Sequence, residues 1–226
     1  MFRFAIIDDY PIVRNGLKEI ILETFHDVTI DEFERGYDFI RNAQSNQYDL
    51  ALLDISLADI SGIEALETIK KIRPRVPVLI VSMHPEDVYA VRAIKAGAHG
   101  YISKRSVVAE LVEAMRTVLA GKRYVSPALA EKMRLDLETG AEKAPHENLS
   151  FRELQVLVLI GEGKTTKQIG DDLHLSTDTV NTYRTRISKK LNLKGTNQLM
   201  HYAIASGLTE YELSGCTTGT QQGQDI

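Results

Sequence analysis

The feature that most constrains the fold is the alternation, through the first 120 residues, of short β-branched apolar runs with segments of helical periodicity. Continuous apolar runs of this length are typical of parallel strands that are covered on both faces. The predicted strands are Phe4–Ile7, Val28–Phe33, Leu50–Leu53, Val78–Val81 and Tyr101–Ile102, and helices are predicted near 11–25, 36–45, 62–72, 86–96 and 106–120. Five such units predict an α/β fold with a doubly wound, five-stranded parallel sheet.

A second, helical domain is predicted in the later part of the chain. Ser150 and Glu153 have the spacing of a capping box, and further helical stretches follow near 165–173, 177–192 and 196–206, which predicts a small all-α four-helix domain. Before it, Ser126 and Pro127 begin a short helix through about Leu137, followed by a polar stretch. The predicted divisions are a first domain at 1–122, a linker with a short helix at 123–148, a helical domain at 149–212 and a disordered tail at 213–226.

Composition is that of an ordinary water-soluble chain. Hydrophobic residues make up 43% and charged residues 26% of the 226 residues, and no apolar run has the length of a membrane span. Acidic residues begin at Asp8, too early for the apolar region of a signal peptide. We therefore expect a cytoplasmic protein with no membrane partner. The single cysteine, Cys216, cannot form an intramolecular disulfide, and we assign it no role.

The net charge of −4 would by itself argue against nucleic-acid binding, but the charge is unevenly distributed. Residues 1–148 carry 19 Lys and Arg against 23 Asp and Glu, whereas residues 149–226 carry 8 of each. Within the second part, the segment 176–194 has five basic residues and one acidic residue. A locally basic segment therefore lies in a neutral domain.

Chemically useful side chains follow the predicted strands where each strand ends. Asp8 and Asp9 follow the first strand, Asp54 the third, Ser82 the fourth and Lys104 the fifth. Ligands of open α/β sheets bind at this edge, so we expect these side chains to meet. Three converging carboxylates require a cation, and an all-oxygen cluster favours Mg²⁺.

Such a site is suited to phosphoryl transfer. Asp54 could attack phosphorus as a nucleophile, while Lys104 neutralises the phosphoryl charge and the Ser82 hydroxyl donates a hydrogen bond. Each residue also has a purely structural interpretation: Asp8 and Asp9 as a helix-capping pair, Asp54 and Ser82 as caps, and Lys104 as a solvated charge. It is much less expected that all five residues lie at strand ends by chance than that any one of them does.

These residues resemble, position by position, those of the receiver domain of two-component response regulators. The resemblance implies that Asp54 accepts a phosphoryl group from a sensor histidine kinase, and that the Ser56 backbone carbonyl completes a Mg²⁺ site with Asp8, Asp9 and Asp54. It also implies that Tyr101 is a switch residue; a half-buried strand aromatic is the alternative. One departure is Ala58, because the family commonly has proline there, and this leaves the geometry of the loop less fixed.

The segment 150–207 resembles the LuxR-type helix-turn-helix of the NarL/FixJ family. Independently, residues at helical spacing predict a packing stripe on the third helix: Val180, Tyr183, Ile187 and Leu191. The opposite face carries Thr182, Thr185, Arg186 and Lys189, with Asn181 to one side, and these side chains are suited to base edges and phosphates. An ordinary solvated surface is the alternative, but the short turn from the preceding helix favours DNA reading.

We predict that base discrimination comes from Asn181, Thr182 and Thr185. Contacts to phosphates are predicted for four cations: Lys164, Lys167, Arg184 and Lys189. The last helix is more apolar than one buried face requires, and the resemblance implies that it pairs with a second subunit, giving a homodimer on double-stranded DNA.

The predicted function is therefore a DNA-binding transcriptional response regulator, activated by phosphoryl transfer to Asp54, with RNA polymerase a candidate partner. It would be an enzyme only in its self-phosphorylation and autodephosphorylation. Two alternatives stay open: a phosphorylation-independent DNA-binding regulator and a Mg²⁺-dependent aspartyl-phosphate phosphohydrolase. The second is disfavoured because such enzymes commonly have a carboxylate two residues after the nucleophile, where this chain has Ser56.

Overall fold

The computed structural model describes residues 1–139 and 144–209. The chain divides into two compact units: Met1–Glu147 makes up most of the first, and the described part of the second is made of Asn148–Asp171 and residues 175–209. The predicted disordered tail and Cys216 lie outside the described residues, as do residues 140–143 of the predicted linker. The two units are described separately.

The first unit contains a five-stranded parallel sheet, as the alternating pattern predicts. Its strands are β1 Phe2–Ile7, β2 Val28–Phe33, β3 Leu50–Leu53, β4 Val78–Ser82 and β5 Gly100–Ser103. Its helices are α1 Pro11–Thr24, α2 Gly36–Ser45, α3 Gly62–Ile72, α4 Glu86–Lys95, α5 Val107–Leu119 and α6 Pro127–Thr139. The predicted strands 1, 4 and 5 are too short, because residues beyond their predicted ends also pair in the sheet.

The sheet has the strand order β2-β1-β3-β4-β5, with every neighbouring pair parallel. The chain therefore places β2 on one side of β1 and then adds β3, β4 and β5 in turn on the other side. This reversal of direction is the point at which α/β sheets form a ligand-binding crevice. The residues that follow β1 and β3 are therefore neighbours at the carboxyl edge.

Both faces of the sheet are buried. One face packs with α1 and α5 in a core that includes Phe4, Leu52 and Met115. Alternate strand residues such as Ile7 and Leu53 point the other way and are also fully buried. Because side chains alternate along a strand, this double burial explains the continuous apolar runs of the sequence.

The described residues of the predicted linker include two helical segments. Helix α6 begins at Pro127, and the Ser126 Oγ accepts a hydrogen bond from the Leu129 backbone N–H at 3.1 Å, as expected of a cap. Residues Pro145–Asn148 form a short 3-10 helix that the sequence analysis did not predict. A single turn of this kind needs few apolar contacts, so it leaves little periodicity in the sequence.

The second unit contains four helices in its described part. They are α7 Phe151–Gly161, α8 Thr166–Leu173, α9 Thr177–Leu191 and α10 Gly195–Ala205. The capping box forms: the Glu153 N–H donates to Ser150 Oγ at 3.3 Å, and the Ser150 N–H donates to Glu153 Oε2 at 2.6 Å. The turn after α8 is tight, because a Cβ on Gly170 would lie 2.7 Å from the Leu175 carbonyl oxygen. This brings α9 directly after α8, as a helix-turn-helix requires.

Candidate functional site

The centre of the site is a lysine shared by two buried carboxylates. Lys104 Nζ lies 2.6 Å from Asp8 Oδ2 and 2.9 Å from Asp54 Oδ2. The lysine side chain is 9% exposed and the two carboxylates 2% and 4%. Burial at this depth requires charge partners, so the three residues depend on one another.

The loop after β3 positions Asp54 without the proline that the family commonly has. A Cβ on Gly62 would lie 2.0 Å from the Asp54 carbonyl oxygen, so only glycine allows this approach. The Gly62 N–H donates to the Ile55 carbonyl at 2.8 Å, and Ser56 and Ser61 form an isolated bridge across the loop. These bonds fix the geometry that Ala58 leaves open.

The carboxylates of Asp8, Asp9 and Asp54 form a cluster that fits a divalent cation. Each can place one oxygen within 4.8 Å of the others. Asp9 Oδ1 is buried and has no hydrogen-bond partner among the described residues. A buried unpaired carboxylate oxygen is costly unless something binds it, and an all-oxygen donor set suits Mg²⁺.

The acidities of the site show an excess of negative charge. Burial raises the pKa of Asp54, and burial together with the nearby Asp54 carboxylate raises the pKa of Asp8. Burial and then Asp8 raise the pKa of Asp9. Burial alone would lower the pKa of Lys104, but Asp54 and Asp8 outweigh it and the pKa is raised. The single positive charge of Lys104 does not neutralise three carboxylates, so the site favours the binding of a second cation.

Ser82 and Tyr101 meet through the loop after β4. Ser82 is fully buried, and its Oγ accepts the His84 N–H at 3.2 Å. The Tyr101 hydroxyl, in a side chain that is 1% exposed, donates to the His84 carbonyl at 2.8 Å. The same histidine reaches the Asp54 loop, where its Nε2 lies 2.9 Å from Ser56 Oγ. His84 therefore connects three of the predicted site residues.

Two residues of this site, His84 and Arg14, were not predicted from the sequence. His84 occupies a strand-end loop, two residues after Ser82, and that position was the available signal. Arg14 donates from Nη1 to the Asp8 carbonyl at 2.6 Å and holds the Asp8 backbone from α1. Neither Asp8 nor Asp9 is the N-cap of α1, because Tyr10 occupies that position; the Asp8 Oδ1 nevertheless accepts the Tyr10 N–H at 2.9 Å.

In the second unit, α9 packs along the predicted stripe. Val180 and Ile187 are fully buried, whereas Asn181, Thr182 and Thr185 on the other face are exposed. The two threonine hydroxyls donate to backbone carbonyls one turn earlier, at 2.9 and 3.0 Å. Their oxygens therefore face outwards mainly as acceptors.

The predicted phosphate-binding cations differ in their surroundings. Lys167 and Lys189 are exposed, whereas Lys164 Nζ forms an ion pair with Glu162 Oε2 at 3.2 Å. Arg184 is half-buried and donates to three side chains: Thr166 Oγ1 at 2.9 Å, Asn181 Oδ1 at 3.2 Å and Thr196 Oγ1. Arg184 therefore joins α9 to its neighbouring helices, and its phosphate contact stays a prediction.

Comparison with known proteins identifies both parts of the chain. Residues 4–116 match the response regulator receiver domain, and residues 147–203 match the luxR family of bacterial regulatory proteins. The chain belongs to the NarL/FixJ family of response regulators. Among its relatives, the response regulator UvrY of Escherichia coli K12 is 34% identical over 213 residues, which is 94% of this chain and 98% of UvrY. The response regulator GacA of Pseudomonas aeruginosa is 31% identical over 93% of this chain and 99% of GacA.

Solved structures agree on the fold of this response regulator. RcsB from Salmonella enterica serovar Typhimurium, bound to promoter rprA with a phosphomimetic, superposes with a TM-score of 0.60 at 23% identity, covering 91% of this chain and 100% of that one. A LuxR-family response regulator from Aurantimonas has a TM-score of 0.56 at 33% identity, covering 61% and 98%. The predicted fold class is confirmed.

The predicted function is confirmed at the level of the family. The protein is a phosphorylation-activated, DNA-binding transcription regulator. Receiver domains bind Mg²⁺ at acidic residues and work with a histidine kinase, and the Asp8, Asp9 and Asp54 cluster is consistent with this. Among the residues that the structure describes, none of the helices combines the length and the apolar character needed to cross a bilayer.

Proposed function

We propose that Asp54 accepts a phosphoryl group from a sensor histidine kinase in a site that Asp8, Asp9 and the Ser56 carbonyl complete with Mg²⁺. The observation that carries this proposal is the sharing of Lys104 by Asp8 and Asp54. A nucleophile, a cation and a place for a metal are thereby united at one edge of the sheet. No other group of acidic, histidine or cysteine side chains in the described ranges has ligand spacing for a metal.

Each residue has a separate role in the transfer. The Asp54 carboxylate forms the new bond to phosphorus, and the leaving group departs on the opposite side. The Lys104 ammonium is already paired with Asp54 and stabilises the negative charge of the phosphoryl oxygens during the transfer. Bound Mg²⁺ supplies further charge neutralisation at these oxygens. The Ser82 hydroxyl donates to a phosphoryl oxygen.

The loop after β4 connects this chemistry to the rest of the unit. A Ser82 hydroxyl that donates to a phosphoryl oxygen is drawn towards that oxygen while its Oγ accepts the His84 N–H, and the carbonyl of the same histidine holds the Tyr101 hydroxyl. Phosphorylation therefore selects a different arrangement of His84 and Tyr101. A ligand shifts such an equilibrium only by its differential affinity for the two states. We expect the shift to raise the fraction of homodimer and the affinity for double-stranded DNA.

The phosphohydrolase alternative has no support in this geometry. The position two residues after Asp54 is Ser56, whose Oγ is paired with His84 Nε2 at 2.9 Å. A serine hydroxyl cannot replace the acid-base carboxylate that turnover of a phosphate ester requires. We therefore propose that the chain is phosphorylated once and is not a steady-state phosphatase.

For DNA, we propose that α9 lies in the major groove and that Asn181, Thr182 and Thr185 read base edges. This is supported by their exposure and by the hydrogen bond from Arg184 to Asn181 Oδ1, which orients the amide with its N–H₂ group outwards. Phosphate contacts are proposed for Lys167 and Lys189, and for Lys164 and Arg184 after their present partners are exchanged. RNA polymerase is a further proposed partner.

The test of the phosphoryl acceptor is incubation with acetyl phosphate and Mg²⁺, followed by intact-mass measurement. One phosphoryl group should be added, and Asp54→Asn or EDTA should abolish it. Asp49→Asn is the matched control, because Asp49 precedes β3 and Asp54 follows it. Labelling that survives Asp54→Asn would disprove the assignment, and continuous phosphate release would revive the phosphohydrolase.

A further inference from the structure

A carboxylate in the loop after Asp54 caps a helix from another part of the first unit. Asp59 Oδ1 accepts the Gly36 N–H at 3.0 Å, and its Oδ2 accepts the Tyr37 N–H at 3.0 Å. These are the first N–H groups of α2, and the N-cap residue before them, Arg35, provides no side-chain cap. Because the first N–H groups of a helix have no partner within it, Asp59 satisfies donors that α2 cannot satisfy itself.

Apolar contacts hold the same two segments together. A Cβ on Gly36 would lie 2.4 Å from Ile60 Cγ2 and 3.1 Å from Leu57 Cδ1, so α2 begins directly against the loop. Leu57 is 1% exposed, and Ile60 is half-buried. The loop is therefore attached to α2 both by the hydrogen bonds of Asp59 and by close packing against a glycine.

This attachment lies within the segment that carries the proposed metal ligand. At one end of the segment Asp54 directly follows β3, and at the other end the Gly62 N–H donates to the Ile55 carbonyl at 2.8 Å. Ser56 and Asp59 lie between these two ends. A loop that is held at its ends and also in its middle has few conformations available, so the direction of the Ser56 carbonyl is restricted.

Asp59 directly follows the position at which this chain lacks the proline that the family commonly has. Proline fixes φ at about −65° and restricts a loop without any contact to the rest of the fold. Ala58 is exposed, and within the described residues its N–H donates no hydrogen bond to the backbone. The restriction must therefore come from neighbouring residues, and the contacts of Asp59 with α2 are immediately adjacent.

We propose that Asp59 is a positioning residue for the phosphorylation site: it holds the loop so that the Ser56 carbonyl can coordinate a divalent cation together with Asp8, Asp9 and Asp54. This inference rests on the proposed function, in which that carbonyl is a ligand of Mg²⁺. Asp59 acts through the loop and not by contact with the cation. The hydrogen bonds from α2 thus take the place of the proline.

The expected consequence concerns the affinity for the cation and not the chemical step. Without Asp59 the loop would have several arrangements, and the apparent affinity falls in proportion to the fraction that can bind. If that fraction decreases to about one fifth, the Kd for Mg²⁺ rises about fivefold. Saturating Mg²⁺ selects the binding arrangement again, so the maximal rate of phosphorylation should stay close to that of the wild type.

Isothermal titration calorimetry of the full-length protein with MgCl₂ measures this affinity without reference to phosphorylation. Asp59→Ala should raise the Kd about fivefold. Asp59→Asn keeps one acceptor oxygen and should give a smaller increase. The matched control is Asp38→Ala, which removes an exposed carboxylate from the first turn of the same helix and should leave the Kd unchanged.

Initial rates with acetyl phosphate at several Mg²⁺ concentrations provide the second measurement. In Asp59→Ala the Mg²⁺ concentration for half-maximal rate should rise by the same factor as the Kd, while the rate at saturation changes little. A lower rate at saturating Mg²⁺ with an unchanged Kd would contradict the proposal, because Asp59 would then affect the transfer itself.

Ala58→Pro is the rescue variant. Combined with Asp59→Ala, it should restore most of the affinity for Mg²⁺, whereas alone it should change the Kd little, because the loop is already held. An unchanged Kd in Asp59→Ala, an equal loss in Asp38→Ala, or a loss that proline does not restore would overturn the proposal. If instead the wild type shows no Mg²⁺ binding that Asp9→Asn abolishes, the proposed metal site itself is wrong, and this inference is wrong with it.

Discussion

In the first unit one lysine, Lys104, is shared by Asp8 and Asp54, whereas in the second unit Lys190 is paired with a single carboxylate, Glu153. Lys104 Nζ lies 2.6 Å from Asp8 Oδ2, and Lys190 Nζ lies 2.6 Å from Glu153 Oε2. The carboxylates of both sites are buried, with Glu153 3% exposed. The acidities nevertheless move in opposite directions. The pKa of Asp8 and of Asp54 is raised, and the pKa of Glu153 is lowered.

The difference lies in how far positive charge and hydrogen bonds offset the burial of each carboxylate. Burial would raise the pKa of Glu153, but the Lys190 ammonium and the Ser150 N–H together outweigh it. In the first unit, burial and carboxylate repulsion exceed what Lys104 supplies. A structural pair is thus fully compensated, whereas the candidate phosphorylation site retains negative charge that a metal can neutralise.

The largest expected effect comes from removing the two lysines in turn. Lys104→Met leaves Asp8 and Asp54 buried without a cation, and we expect about 3–5 kcal/mol of lost stability in the first unit. Lys190→Met should cost the second unit about 1 kcal/mol, because this lysine is 42% exposed and Glu153 keeps its bond from Ser150. Urea unfolding, followed by hydrogen exchange in peptides of each unit, measures both.

Lys104→Arg is the control for this comparison, since it keeps the charge and should recover part of the stability. Equal losses for the two methionine variants would mean that the shared lysine is no more important than the simple pair.

The next largest effect concerns the loop that holds Asp54. Gly62→Ala would place a methyl group 2.0 Å from the Asp54 carbonyl oxygen and 2.7 Å from the Ile55 Cα, and backbone atoms cannot move aside easily. We expect a loss of about 1–3 kcal/mol together with slower phosphorylation.

Gly16→Ala is the matched control. Gly16 lies in α1, and a Cβ there meets nothing within 4 Å, so alanine should stabilise the helix by about 0.5–1 kcal/mol. If Gly62→Ala is equally well tolerated, the close approach of the loop to Asp54 does not fix its geometry.

The residues at the carboxyl ends of the strands could be predicted from the sequence because the strands themselves could. Buried parallel strands leave continuous apolar runs, and Asp8, Asp54 and Lys104 directly follow three of them. The side-chain contacts of His84 with Ser56 were not predictable in this way. They depend on how two loops fold back towards each other, which no periodicity in the sequence records.

The environment of Arg184 shows that helical periodicity predicts more than the packing stripe of α9. It follows Val180 by four residues, so at about 100° per residue it lies only about 40° from that buried side chain. The same arithmetic that predicts the packing stripe therefore predicts a half-buried Arg184. Its contact with Thr196 on α10 still required the structure, because it depends on the packing of two helices.

A third prediction concerns the exposed face of α9, which carries Asn181 and Lys189. Asn181→Ala should weaken binding by about 1–3 kcal/mol at one base pair of each half-site and leave the salt dependence nearly unchanged. Lys189→Ala should weaken binding to all sequences and reduce the salt slope by about 0.9. Titrations of DNA fragments at several salt concentrations distinguish the two.

Lys18→Ala, on α1 of the first unit, is the control and should not change the salt slope. If neither α9 variant alters DNA affinity, this face is an ordinary solvated surface and the base-reading assignment is wrong.

The smallest effect is the response of each unit to Mg²⁺ and pH. At about tenfold excess over its Kd, a cation bound by Asp8, Asp9 and Asp54 should stabilise the first unit by about 1.4 kcal/mol at pH 7. Because the folded-state pKa of all three is raised, ionisation opposes folding when no metal is present. As the pH falls through these values, the metal-free unit gains stability and protons compete with Mg²⁺, so the increment due to Mg²⁺ shrinks.

The second unit should respond with the opposite sign and in a different pH range. The lowered pKa of Glu153 contributes stability above its unfolded value of about 4.3, and this is lost only as the pH falls through the folded value. Between pH 7 and pH 5 the second unit should therefore be unaffected by metal or acid. Hydrogen exchange with Mg²⁺ and with EDTA measures both units in one sample, and Asp9→Asn should reduce the increment in the first. An equal response of both units to Mg²⁺ would show that the cation binds elsewhere, and the buried excess of negative charge would then need another explanation.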